Sequence, residues 1–177
     1  MPPLLAAFAL LLATAAQQVP GVPPPPEGKF EPELTQVAVE RAKAEMTALL
    51  AQLDRDTTQP PAVKADVKSK LSRLKVAIYT SGKTMEECVT FYADRVKGSS
   101  FLFAERQVLP DLRELAAAGR FAVTPKTEEE WGGKSYRYAR WVREDGTLSI
   151  DVEDHLLDPR DGAVTKRTVV MVTSVGE

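Results

Sequence analysis

Asp145-Gly146 lies between two runs of alternating polar and apolar residues and restricts the fold more than any other feature, because a two-residue turn pins the register of the strands it joins. Pairing Glu144 with Thr147 sets Arg137 opposite Asp154, Ala139 opposite Val152 and Trp141 opposite Ile150 on one face. On the other face Tyr136 meets His155, Tyr138 meets Glu153 and Arg140 meets Asp151. A second turn across Asp158-Pro159-Arg160-Asp161-Gly162 predicts that Leu156 meets Val164, Asp154 meets Lys166, Glu153 meets Arg167, Val152 meets Thr168 and Ile150 meets Val170. Charges then face opposite charges and apolar groups face apolar groups, whereas a slip of one residue would exchange the two faces. The expected result is a three-strand antiparallel meander with a core face of Trp141, Leu148, Ile150, Val152, Val170 and Val172.

Upstream, apolar residues recur at helical spacing. Pro32 opens a pattern of Leu34, Ala38, Ala42, Met46, Leu49 and Leu53 that ends before Pro60-Pro61. A second helix follows from about Ala62 to Arg73. Its stretch to Lys75 carries five basic residues against the single acidic Asp66, and reads as a solvated face. Leu74 to Tyr79 is a short β-rich run, and Thr84 with Glu87 three residues on fits a capping box. Met85, Cys88, Val89, Tyr92 and Val96 line one side of the helix so started, which Gly98 is placed to stop in a left-handed conformation. Ser100 to Val108 reads as another strand, Pro110 to Ala118 as a short helix, and Thr127 to Glu130 as a last helical turn before Gly132-Gly133.

The strand-turn-helix LKVAIYTSGKTMEECVTFYADRV, with Phe91-Tyr92 near the middle of the helix and strands to follow, resembles a module of small exported bacterial α+β proteins of unassigned function. The resemblance spans Leu74 to Val108; it implies an α+β fold and a cell-envelope or secreted setting, and assigns no functional residue.

The beginning of the chain agrees with export. Leu4 to Ala13 is an apolar run too short to cross roughly 30 Å of hydrocarbon as a helix, but suited to a signal-peptide core. Ala13-Thr14-Ala15 supplies a cleavage site, although Met1-Pro2-Pro3 carries no Lys or Arg. Residues 1–16 are thus expected to be a signal peptide, and no transmembrane span is expected after its removal. Residues 17–33 hold Pro20, Pro23, Pro24, Pro25, Pro26 and Pro32, a composition that favours an extended spacer. Deleting Gln17 to Gly28 is expected to shift stability by less than about 0.5 kcal/mol. Residues 34–177 are expected to form a single α+β domain, with periplasmic or secreted localisation.

Composition narrows the chemistry. With one His and one Cys there is no disulfide framework and no zinc cluster, and a net charge of -2 with 27% charged residues argues against nucleic acid. Gly82-Lys83-Thr84 resembles the end of a phosphate-binding loop, but the glycine such a loop needs five residues earlier is replaced by Ala77 within the strand. Asp151, Glu153, Asp154, Asp158 and Asp161 are acidic enough to suggest calcium; the strand alternation instead hands them cross-strand basic partners. His155 lacks an identifiable nucleophile, and Cys88 on an apolar helix side reads as a buried, inert thiol.

No catalytic residue, metal ligand or cofactor is therefore assigned. The residues chosen for binding are Tyr136, Tyr138, Arg140 and Arg167, aromatic and cationic groups on the sheet face away from the core, facing an unknown protein or a small anionic ligand. The sequence reads as an exported, non-enzymatic binding or interaction domain of undetermined oligomeric state. The alternatives are a small secreted hydrolase or transferase using His155 with Asp151 or Glu153, and a self-associating structural envelope protein.

Overall fold

The computed structural model describes Val19, residues 21–55, Thr58, and residues 60–97, 100–108, 136–158 and 164–175. The expected residues 1–16 signal peptide, the helix from Pro110 to Ala118 and the turn from Thr127 to Glu130 lie outside the described residues, as does Gly98. Six described strands form one antiparallel sheet: β1 (Gly28–Phe30), β2 (Lys75–Ser81), β3 (Phe101–Val108), β4 (Tyr136–Arg143), β5 (Leu148–Leu157) and β6 (Val164–Ser174). Three described helices accompany them: α1 (Pro32–Arg55), α2 (Pro61–Ser72) and α3 (Met85–Val96). The fold is α+β, with spatial strand order β1-β2-β6-β5-β4-β3.

The β4–β5 ladder has the expected register, with Ala139 opposite Val152, Arg140 opposite Asp151 and Trp141 opposite Ile150. Its turn is built differently. Gly146 N–H donates to the Arg143 carbonyl at 2.7 Å, and Gly146 takes φ 70°, whereas Asp145 keeps a negative φ. Asp145 instead turns its carboxylate onto the Thr147 N–H at 2.9 Å and the Thr147 hydroxyl at 2.7 Å. The hairpin is thus closed by an Asx-type bond and one left-handed glycine, and not by two positive-φ residues.

The β5–β6 register departs from expectation. Ile150 faces Val172 and Val152 faces Val170, a slip of two residues from the pairing read off the sequence. One residue comes from the connection, since Leu157 and not Leu156 meets Val164; the other comes from a bulge. Between the pairs Glu153–Val169 and His155–Lys166, β6 contributes Arg167 and Thr168 where β5 contributes only Asp154. A slip of two preserves the faces, so Trp141, Leu148, Ile150, Val152, Val170 and Val172 are all buried as expected.

α3 carries the chain from β2, near one edge of the sheet, to β3 at the other, and so crosses the core face. The capping box forms, with the Glu87 N–H donating to the Thr84 hydroxyl at 3.2 Å and the Thr84 N–H to the Glu87 carboxylate at 2.9 Å. Met85, Cys88 and Tyr92 are buried, and their cluster includes Trp141, Ile150 and Val172. Arg137, at the open end of β4, sends its guanidinium to Glu86 on α3 and to Glu105 on β3 at 2.8 Å.

The proline-rich stretch is not a detached spacer. Val19 and Val22 are only 3% and 8% exposed and belong to the core cluster, and Gly28–Phe30 pairs with Tyr79–Ser81 as an edge strand. Prolines lack the N–H that would engage neighbouring carbonyls in regular structure, which leaves carbonyls of this stretch free to accept from the domain. Pro23 accepts from the Tyr92 hydroxyl at 3.0 Å, and Pro26 from the Ser81 hydroxyl at 2.7 Å. Gly28 N–H closes a turn onto the Pro25 carbonyl at 2.9 Å, at a position where an added Cβ would lie 2.7 Å from that oxygen.

α1 takes over where β1 ends. The Glu31 N–H donates to the Ile78 carbonyl at 2.9 Å, and the Thr35 hydroxyl accepts from the Ile78 N–H at 3.0 Å, so the first turn of the helix satisfies the edge of β2. Beyond Leu34 and Thr35 no residue of α1 is fully buried, and α2 rests against α1 with Lys68 bridging to Asp54 at 3.3 Å.

Candidate functional site

Of the four residues selected from sequence, the structure describes the side chains of Tyr138, Arg140 and Arg167. Tyr138 and Arg140 share the face of β4 away from the core, with Glu153 and Asp151 opposite them on β5. The side chain of Tyr136 lies outside the described residues. Arg167 falls at the bulge, and Val169 takes its expected place opposite Glu153. Arg140 is engaged from below: its Nε donates to Asp151 Oδ1, and Asp151 is only 2% exposed. Burial pushes the Asp151 carboxyl up from its ordinary value, while the hydrogen bond and charge of Arg140 pull it down. An incoming anion at Arg140 would compete with a carboxylate already seated there.

The other motifs resolve into local structure. Lys83 pairs with Glu27 at 3.2 Å and Glu87 at 3.7 Å, so two carboxylates occupy the cation of the Gly82-Lys83-Thr84 motif. His155 Nδ1 lies 2.6 Å from Asp154 Oδ1, and Asp154 also accepts from the Arg137 N–H at 2.9 Å. The carboxylate beside the histidine is therefore Asp154, whereas Asp151 serves Arg140. The Cys88 thiol faces the Ser81 hydroxyl at 3.5 Å and is raised by burial, an environment that keeps it protonated. Among the described residues no three His, Cys, Asp or Glu side chains gather where they could hold a metal ion.

A cavity of about 370 Å³ opens on the core side of the sheet, toward the C-terminal end of α3. Leu148 and Ile150 of β5 and Phe101 of β3 supply apolar wall. Tyr92, Arg95 and Val96 enter from α3, and Gly21, Val22 and Pro23 of the proline-rich stretch that precedes β1, the N-terminal strap, close a third side. Arg143, at the end of β4, completes the described lining. Gly21 takes φ 81°, a left-handed conformation that suits glycine and bends the strap here.

The polar groups have distinct states. Burial raises the Tyr92 phenol, which stays protonated and donates to the strap. Arg95 stacks on the Phe91 ring, its guanidinium carbon 3.3 Å from the centroid, and donates once to the Phe91 carbonyl at 2.9 Å. Arg143 donates to the Thr147 hydroxyl at 3.0 Å and to the exposed Asp145 at 3.2 Å. A guanidinium has five N–H donors, and no described carboxylate pairs with Arg95.

The sequence reading missed this cavity because it treated the strap as spacer. Val19 and Val22, apolar residues within an otherwise proline-rich stretch, were the available signal. Comparison of the chain with protein-family models, with curated proteins and with solved structures yields no match in any of the three.

Proposed function

We propose that this chain is an exported, non-enzymatic binding domain that takes a small molecule into the cavity between the N-terminal strap, α3 and the sheet. The carrying observation is the cavity itself: its volume falls within the ~300–1,000 Å³ of small-molecule sites, and its described walls are mainly apolar with polar groups at few points. Tyr92 supplies the one described hydroxyl, and it is committed to Pro23. Walls of this composition favour holding a ligand over transforming it. Export is supported by the Leu4–Ala13 apolar run with its small-residue cleavage site, and by the resemblance of Leu74 to Val108 to exported proteins.

Two measurements test the reading. The intact mass of protein recovered from outside the cytoplasm should correspond to a start near Ala16 or Gln17, and retention of Met1 to Ala15 would refute export by cleavage. For binding, a small-fragment library screened by NMR should shift amide signals of Gly21, Val22, Val96 and Leu148. Val96→Trp, which fills the cavity from α3, should abolish those shifts. A library with no hit at these residues overturns the binding reading.

A further inference from the structure

We infer that the ligand of this cavity is a compact, uncharged and largely hydrocarbon molecule, with a body of about two fused rings. The inference rests on the binding-domain reading and adds the chemical class. It replaces the anion expected from sequence at the outer sheet face, where Arg140 is already seated on Asp151.

Three polar side chains line the described walls, and each is already engaged. Tyr92 is buried and gives its phenolic proton to the Pro23 carbonyl at 3.0 Å. Arg143 donates to the Asp145 carboxylate at 3.2 Å and to the Thr147 hydroxyl at 3.0 Å. Arg95 lies on the Phe91 ring, donates to the Phe91 carbonyl at 2.9 Å and is exposed, so that water reaches its remaining donors.

These engagements decide the charge of the ligand. An acidic group entering the cavity would give up its hydration and meet one guanidinium held by Asp145 and another open to water, where an ion pair contributes little. An ammonium group would lose hydration in the same way and face two cations besides. A ligand rich in hydroxyls, such as a sugar, would leave its hydrogen bonds unmade against Val22, Val96, Phe101, Leu148 and Ile150. An uncharged hydrocarbon body gives up no strong hydration, and those same walls stabilise it in proportion to the apolar area removed from water.

Size follows from the volume. A dry cavity of about 150 Å³ lined by Leu, Ile and Phe takes up benzene. At about 370 Å³ this cavity is more than twice as large, with room for two fused rings or a branched hydrocarbon of similar bulk.

The test is an NMR titration of the protein with naphthylmethanol, naphthoate, naphthylmethylammonium and benzyl alcohol, read at the amides of Gly21, Val22, Val96 and Leu148. The three naphthyl compounds, substituted at the same ring position, share one body and differ in the charge of the head; benzyl alcohol keeps the head and loses a ring. Naphthylmethanol should bind at least about tenfold more tightly than naphthoate, because it carries no charge to be dehydrated, and naphthylmethylammonium should bind most weakly of the three. Benzyl alcohol should bind at least about tenfold more weakly than naphthylmethanol, having less apolar surface to bury. Val96→Trp should abolish the shifts caused by naphthylmethanol, with circular dichroism checking that the variant is folded; the amides that shift in the unsubstituted protein locate the site independently. Binding of either ion as tight as that of naphthylmethanol overturns the uncharged class, and equal binding of benzyl alcohol overturns the size; both leave the binding domain standing. Library fragments that bind in the cavity while naphthylmethanol does not also overturn the inference alone. Absence of every ligand, fragments included, overturns both readings.

Discussion

The N-terminal strap and α1 exchange the roles that their sequences suggest. The strap is short, rich in proline and without helical or strand periodicity, yet it places Val19 and Val22 in the core and its carbonyls on Tyr92 and Ser81. α1 runs for 24 residues with apolar side chains at helical spacing, yet buries only Leu34 and Thr35 and leaves Leu49 46% exposed. An apolar pattern shows which side of an element prefers cover, whereas burial is decided by whether another surface is within reach. The strap lies against an open side of the core, and α1 rests chiefly on α2 and β2.

The comparison breaks most sharply on deletion of Gln17 to Gly28. Removing two buried valines at about 1.5 kcal/mol or more each, together with the hydrogen bonds at Tyr92 and Ser81, should cost about 3 kcal/mol or more in chemical denaturation. A loss below about 0.5 kcal/mol would return the segment to the status of a spacer.

Arg140→Gln probes the face away from the core and should cost about 1–3 kcal/mol at neutral pH, because it strips the buried Asp151 carboxylate of its cation. The sign with pH is fixed by burial. A carboxyl whose folded value is raised above its unfolded value opposes folding while ionised, and that opposition is relieved as pH falls through the folded value. Melting temperatures of the two proteins should therefore converge as the solution is acidified from pH 7 toward the ordinary Asp value near 4. A constant gap would mean that Asp151 does not titrate in the folded protein.

Tyr92→Phe tests one strap contact alone. It leaves the Pro23 carbonyl without its donor while keeping the ring, and should cost about 1 kcal/mol, with faster amide exchange at Val22. Loss of stability without faster exchange would place the effect in the core and not in the strap. Leu49→Ser on α1 should change stability by no more than about 0.5 kcal/mol, since the side chain is already in contact with water. A larger loss would show that α1 is covered in solution.

Much of the architecture was legible because local chemistry and long-range pairing agreed. The Thr84–Glu87 capping box, the stripe of Met85, Cys88 and Tyr92, and the β4–β5 register each involve residues close in sequence whose preferences point the same way. The β5–β6 register was less legible because charge matching across that hairpin tolerated several alignments, and a bulge at Arg167 and Thr168 adds a residue that alternation does not reveal. That bulge also took Arg167 from its expected place opposite Glu153, which Val169 fills instead. The pairing of Arg140 with Asp151 was readable, but the burial that makes Asp151 its fixed partner was not.

By itself the sequence determined an α+β chain with a capped amphipathic helix, an alternating hairpin and one apolar sheet face, since spacing alone dictates which side chains share a side. Tertiary structure decided that β6 pairs with β2, that β3 reaches the far edge of the sheet, and that the strap folds back across the core. From those three decisions comes the cavity, where Arg95 of α3 and Arg143 of β4, 48 positions apart in the chain, line the same wall of hydrocarbon. No local pattern encodes that meeting, because it depends on surfaces that exist only once distant segments have packed.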